Sequence, residues 1–237
     1  MAVPIMGHYE NAWQAVLHRV AAAAQACGRT PQSVQVLAVS KTFPADAIRA
    51  VHAAGQRAFG ENYVQEAAAK RAALADLTDV SWHLIGPLQS NKTAQAASFD
   101  WVESVDRLKI AQRLAAQRSP ALAPLSICVE VNVSGEASKG GVEPSQAVPL
   151  ALAIAGLANV RVRGIMGIPA PTADTQATRA QFRELARCFA GCRDAGLAVD
   201  TLSMGMSGDL ELAIAEGATQ VRVGTAIFGA RARQDNP

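Results

Sequence analysis

Short runs rich in Val, Ile and Phe alternate along this chain with longer alanine-rich stretches. Eight of the short runs are bounded by turn-forming residues and have the length and β-branched content of strands. They cover residues 34–40, 57–62, 81–86, 101–105, 126–133, 161–168, 201–205 and 221–228. The alternation predicts a parallel sheet, because each strand is followed by a segment long enough to cross back over the sheet.

The intervening stretches show apolar residues at helical three- and four-residue spacing. The predicted helices cover 45–54, 64–77, 105–117, 144–157, 175–195 and 209–216, with an extra N-terminal helix over 8–27. Eight such units in 237 residues predict one domain, residues 1–237, closed into a TIM-type (β/α)8 barrel. An open doubly wound sheet is the alternative, against which the absence of GxGxxG after the first run counts.

Composition excludes several classes of protein. Half of the residues are apolar and 18% are charged, which excludes a disordered chain. The formal net charge of +2 gives no basic footprint for nucleic acid, and no apolar run is long enough to span a membrane. Four scattered cysteines indicate a reducing compartment rather than a disulfide framework, so we expect a cytoplasmic protein and, without an exposed apolar strip, a monomer.

Lys41 is a candidate for covalent chemistry because it follows the first apolar run, on the face shared by Leu37 and Val39. An apolar barrel mouth lowers the pKa of a lysine and favours the unprotonated amine that forms a Schiff base with an aldehyde. The alternative interpretation is a lysine that extends to the surface.

A phosphate site is indicated at the ends of the seventh and eighth strands, where this architecture usually places one. Ser207 and Gly208 lead directly into a predicted helix, and Gly224 and Thr225 offer a close backbone approach and another donor. Arg222 shares the strand face of Gly224 and is predicted to face the ligand. Ordinary caps and turns are the alternative interpretation.

Other polar residues lie at or near predicted strand ends. Asn62 and His83 are candidates to orient Lys41 or the ligand, although a structural histidine explains His83 equally well. Glu130 and Asn132 share one face of an apolar strand, and the sequence leaves open whether that face points inward.

Seven blocks in order give the chain a specific resemblance: AVSKTFP, FGENYVQE, HLIGPLQSNK, VNVSGEASKGG, RGIMGI, LSMGMSGDLELAI and GATQVRVGTAIFG. Over almost its whole length it resembles the YggS/PROSC family of pyridoxal phosphate homeostasis proteins. The resemblance implies the barrel of the alanine racemase N-terminal domain.

The same resemblance assigns roles at the cofactor. Lys41 matches the lysine that carries the internal aldimine of pyridoxal 5′-phosphate (PLP), and Arg222 matches the arginine that faces the pyridine nitrogen. The phosphate cradle is matched by Ser207, Gly208, Gly224 and Thr225, and the pocket lining by Asn62, His83, Ile85 and Met166.

Three functions are compatible with these residues. The first is a non-enzymatic PLP binder that buffers the cofactor in vitamin B6 homeostasis and delivers it to PLP-dependent apoenzymes. The second is a weak PLP-dependent amino-acid racemase or lyase, although a racemase needs acid and base groups on both faces and the sequence offers only Lys41. The third is a cofactor-free Schiff-base aldolase acting on a sugar phosphate.

Overall fold

The computed structural model describes residues 3–136 and 139–230, with side chains from residue 7 onward. Eight parallel strands form a closed barrel in the order β1 to β8. They are β1 Gln35–Val39, β2 Ala58–Glu61, β3 Ser81–Leu84, β4 Trp101–Val105, β5 Leu125–Val131, β6 Val160–Gly167, β7 Thr201–Met206 and β8 Gln220–Val223. The closed (β/α)8 barrel expected from the alternation is confirmed, and the open sheet is excluded.

Helices cover the outside of the barrel. They are α1 Val3–Ala26, α2 Ala45–Ala53, α3 Val64–Ala73, α4 Thr93–Ala96, α5 Leu108–Gln117, α6 Pro144–Ala155, α7 Thr175–Asp194, α8 Leu210–Ala215 and α9 Thr225–Phe228. The extra helix α1 packs against α2, α8 and α9. None of the helices in the described ranges is both long and apolar enough to cross a membrane.

The end of β8 was predicted wrongly. The sequence pattern extends this strand to Phe228, whereas the strand ends at Val223 and α9 follows Gly224. The backbone amides of Ile227 and Phe228 donate to the Gly224 carbonyl, and the Phe228 ring stacks on Phe43 with centroids 5.2 Å apart. A short run of apolar residues has no hydrophobic periodicity by which a buried strand can be told from a buried helix. Residues 89–92, which can be interpreted equally well from the sequence as a helix start, lead directly into the short helix α4.

Side chains alternate between two environments along each strand. Outward residues such as Val102, Leu202 and Val221 join the apolar core between the sheet and the helices. Their inward neighbours include Glu103, Ser203, Gln220 and Arg222, all buried. The barrel interior therefore holds a polar cluster, whereas the main apolar core lies outside the sheet.

Gly205 shapes the end of β7. Its φ is +91°, and the pairing register between β7 and β8 shifts between Ser203 and Met206. A Cβ at this position would lie 2.4 Å from the Cβ of Ala213 on α8. The loop after β7 therefore leaves the sheet at a position that suits glycine alone.

We predict that Gly205→Ala lowers the free energy of unfolding by about 2–4 kcal/mol, because it adds both a positive-φ penalty and an overlap with α8. Urea unfolding measures this value. Gly156→Ala is the matched control, since Gly156 caps the end of α6 with an ordinary negative φ of −78° and its Cβ would meet its nearest neighbour at 3.8 Å. Equal stability of the two variants would contradict the prediction.

Candidate functional site

A cavity of about 400 Å³ opens at the carboxyl ends of the strands. Eight of the ten residues predicted for the site line it, namely Lys41, Asn62, Ile85, Ser207, Gly208, Arg222, Gly224 and Thr225. Val39, Gly86, Pro87, Glu130, Ile168 and Met206 complete the wall. A neighbouring hollow of about 450 Å³ shares Ile168, Met206 and Gly208 but includes neither Lys41 nor Arg222.

The other two predicted residues, His83 and Met166, lie one layer deeper. Each precedes a lining residue by two positions, Ile85 or Ile168, and so faces the same side one step further from the mouth. Met166 is fully buried, and His83 contacts Glu103 with 2.7 Å between Nδ1 and Oε1. The structure does not bring these two residues to the cavity wall.

Lys41 lies in a turn whose backbone is held by charged side chains of α3. Thr42 has a left-handed φ of +70°, and its amide donates to Oε1 of Glu66 at 2.5 Å. The ammonium of Lys70 donates to the Ser40 carbonyl at 2.8 Å. Both neighbours of Lys41 are thus fixed by side chains of α3, which orients the lysine without occupying the cavity.

Lys70 also belongs to a buried network that was not predicted from the sequence. Oε1 of Glu61 accepts from the Ser40 hydroxyl at 2.6 Å and from Lys70 Nζ at 2.7 Å. Burial raises the pKa of Glu61, whereas the charge and hydrogen bond of Lys70 lower it. The block FGENYVQE contains both Glu61 and Glu66, but the sequence shows nothing of their approach to Ser40 and Thr42.

The loop after β7 is also held by charges. The Met206 amide donates to Oδ1 of Asp209 at 2.5 Å. Arg19 of α1 donates to the Ser207 carbonyl at 3.0 Å and forms an ion pair with Glu211 at 2.8 Å. The extra N-terminal helix therefore braces the loop that carries the Ser207 hydroxyl.

Two close contacts shape the rest of the wall. A Cβ on Gly86 would lie 2.3 Å from the Asn62 carbonyl oxygen, so only glycine lets the end of β3 pack against Asn62. The Ala226 amide donates to Oγ of Ser207 at 3.4 Å, which joins α9 to the loop after β7.

Arg222 is a cation buried at the base of the cavity. Its guanidinium donates to the Ser203 carbonyl at 2.7 Å, to the Ser203 hydroxyl at 2.8 Å and to the Gly167 carbonyl at 2.9 Å. Burial lowers the pKa of Arg222, yet a guanidinium remains charged in proteins. Arg222 lines the cavity, and its predicted contact with the ligand stays a prediction.

Glu130 and Asn132, whose direction the sequence left open, separate in the structure. Glu130 lines the cavity, and burial raises its pKa to about 7, with Asp106 adding to the shift and Arg222 opposing it. Asn132 donates instead to the Glu136 carbonyl at 2.9 Å and holds the loop after β5. Glu130 is therefore an acid–base group that titrates near neutrality inside the cavity.

This set of groups defines what the cavity can hold. A lysine amine, a fixed guanidinium, a serine hydroxyl and the loop backbone around Gly208 and Gly224 suit a small anion that also carries a carbonyl group. The volume is typical of a pocket for a small molecule. In the described ranges no group of three or more His, Cys, Asp or Glu residues is placed to bind a metal.

Comparison with known proteins identifies relatives over about nine-tenths of the chain. Residues 12–232 match the family model "Alanine racemase, N-terminal domain". A protein of Pseudomonas aeruginosa named "Pyridoxal phosphate homeostasis protein" is 58% identical over 217 residues, covering 91% of this chain and 93% of the relative.

Two solved structures share the fold. A protein from Bifidobacterium adolescentis, described only as an unknown protein, superimposes with a TM-score of 0.90 at 36% identity, covering 96% of this chain and 97% of its own. PipY of Synechococcus elongatus, solved with PLP bound, gives a TM-score of 0.79 at 42% identity, covering 89% of this chain and 100% of its own.

We predict that Lys70→Met lowers the free energy of unfolding by about 3–5 kcal/mol near neutral pH, because it leaves the Glu61 carboxylate buried without its counter-charge. The loss should shrink as the pH falls, since a protonated Glu61 needs no counter-charge. Urea unfolding of Lys70→Met and of the exposed control Lys109→Met tests this. Adding Glu61→Gln to Lys70→Met should recover part of the loss, and equal stability of the two single variants would contradict the prediction.

We predict that Glu130→Gln stabilises the protein at alkaline pH by about 2–4 kcal/mol. The folded pKa of about 7 exceeds the unfolded value of 4.5, so the native state retains a proton that the unfolded chain has lost. The stability of the parent protein therefore falls as the pH rises from 4.5 to 7, and the variant removes that fall. Unfolding at several pH values, with the exposed Glu143→Gln as control, measures the difference, and parallel pH profiles would contradict it.

Proposed function

Because this chain belongs to the pyridoxal phosphate homeostasis proteins, a family with the fold of the alanine racemase N-terminal domain, we propose that it binds PLP and takes part in vitamin B6 homeostasis. The observation that carries the proposal is the convergence of Lys41, Arg222 and the Ser207 loop on one cavity. When bound, PLP supplies three groups: an aromatic ring, a phosphate, and an aldehyde that condenses with a primary amine.

Each part of the ligand has a matching group in this cavity. Lys41 supplies the amine, held in place by the α3 contacts to Ser40 and Thr42. Ser207, Gly208, Gly224 and Thr225 hold the phosphate through hydroxyl and backbone donors. Arg222 lies at the pyridine side, as the family resemblance implies. Asn62 and Ile85 pack beside the ring, and the proposed contribution of His83 and Met166 is support from the layer below.

The arrangement favours a carrier over an efficient enzyme. A guanidinium beside the ring nitrogen disfavours its protonation, which makes the ring a weaker electron sink than one paired with a carboxylate. We therefore propose a cytoplasmic, monomeric carrier that buffers PLP and releases it to PLP-dependent apoenzymes. The relatives from Pseudomonas aeruginosa and Escherichia coli are both named pyridoxal phosphate homeostasis proteins, which accords with that role.

Glu130 favours a second candidate function, a weak amino-acid racemase or lyase. The sequence alone offered one acid–base group, Lys41, whereas the cavity also contains a carboxyl with a pKa of about 7. Such a group exchanges protons readily at neutral pH. Incubation with one enantiomer of alanine tests this function, which requires turnover that is lost in both Lys41→Ala and Glu130→Gln.

We predict that the purified protein incubated with PLP absorbs between about 300 and 500 nm, and that borohydride then links the cofactor permanently to the parent protein but not to Lys41→Ala, because Lys41 supplies the attachment point. Mass spectrometry of the reduced protein should place one cofactor on Lys41. Lys109→Ala, which changes an exposed lysine on α5, is the control and should behave as the parent protein.

A protein that takes up no added PLP would overturn the proposed function. The sugar-phosphate aldolase would then be the next hypothesis to test, because it uses the same lysine and phosphate site without a chromophore. Uptake with attachment to a different lysine would retain the cofactor but overturn the role of Lys41.

A further inference from the structure

We propose that Glu103 is a positioning residue for the cavity: through the Ser203 hydroxyl it fixes and charge-balances the Arg222 guanidinium. The inference rests on the proposed function only for its ligand readout. Glu103 lies on β4 inside the barrel, does not line the cavity and belongs to none of the motifs identified in the sequence.

Glu103 is a fully buried carboxylate with a partner on each oxygen. Oε1 is 2.7 Å from His83 Nδ1 and accepts from Gln220 Nε2 at 2.7 Å. Oε2 accepts from the Ser203 hydroxyl at 2.6 Å. Burial raises the pKa of Glu103, but His83, Arg222 and Ser203 together hold it below its usual value. The group is thus an anion at the centre of the barrel.

Ser203 links the Glu103 carboxylate to the Arg222 guanidinium and thereby orients that guanidinium. A serine hydroxyl has one proton, and here Ser203 donates it to Glu103. Its lone pairs are left to accept from Arg222 at 2.8 Å and from Gln220 at 3.1 Å. Without Glu103 the hydroxyl proton would be free to turn toward Arg222, where it would oppose the guanidinium.

Charge balance follows from the same link. Glu103 and Arg222 form no direct ion pair, so one hydroxyl separates the buried anion from the buried cation. The charged and titratable groups that act on this pair are His83 on β3, Cys128 and Glu130 on β5, and Asp209 after β7. Lys41 faces the same cavity as Arg222. Loss of the Glu103 charge would leave the cavity around Lys41 and Arg222 with a larger net positive charge.

Two variants separate charge from orientation. Glu103→Gln removes the charge and keeps the shape, whereas Ser203→Ala keeps the charge and breaks the link. We expect the absorbance of protein loaded with PLP to change with pH. The midpoint of that change should fall by about 0.5–1 pH unit in Glu103→Gln, because removal of a nearby anion favours the deprotonated, less positive form of the bound cofactor. In Ser203→Ala we expect PLP binding to weaken about tenfold, because Arg222 loses its hydroxyl acceptor.

A second measurement needs no cofactor. Exchange of the Arg222 guanidinium protons, followed by nitrogen-15 NMR in the ligand-free protein, should be slow in the parent and at least about tenfold faster in both variants. Glu216→Gln is the control, since it breaks ion pairs with Arg179 and Arg183 outside the cavity. A general loss of stability would speed exchange in the control as well.

The outcomes decide between the two proposals. Unchanged Arg222 exchange and unchanged PLP titration in both folded variants would overturn the role of Glu103 while the proposed function stands. A parent protein that binds no PLP would overturn the proposed function, and the exchange measurement would still test Glu103. If Glu103→Gln does not fold, Ser203→Ala decides: faster exchange with weaker binding supports the link, and parental behaviour overturns it.

Discussion

Closure of the barrel is the constraint on which the site depends. Lys41 and Arg222 are far apart in sequence, but β1 pairs with β8, and Leu37 lies opposite Arg222 in that pairing. An open sheet would leave these strands at distant positions. Closure also turns every second side chain of each strand inward, which forces polar groups into a small volume where each needs a partner. The geometry of the cavity and the polar interior therefore have one origin.

Charged groups outside the cavity do much of the positioning inside it. Glu66 and Lys70 fix the backbone on either side of Lys41, and Asp209 and Arg19 fix the loop that carries Ser207. The groups that face the ligand are thereby held on rigid elements, which lowers the entropy lost when a ligand binds. The cavity wall is shaped before any ligand arrives.

Local sequence patterns predicted the strands and helices well. They predicted the contacts between residues that are distant in sequence less well. Seven strands were placed within two residues of their observed ends, because a buried strand bounded by turn residues is legible in sequence. The eighth was extended through Phe228, since TAIF is apolar enough to be buried as strand or helix. The depth of His83 and Met166 depends on the height at which each strand meets the cavity, which no local pattern encodes. Glu61 and Glu103 have partners on other elements of the fold, so their roles emerged only from the structure.

The contact of α1 with the loop after β7 gives that loop a thermodynamic link to the N-terminal end of the chain. Arg19 joins the Ser207 carbonyl to Glu211, so the docking of α1 and the order of the Ser207 loop are parts of one equilibrium. A fusion partner that pulls on α1 would loosen the loop that carries Ser207 from about the opposite end of the sequence.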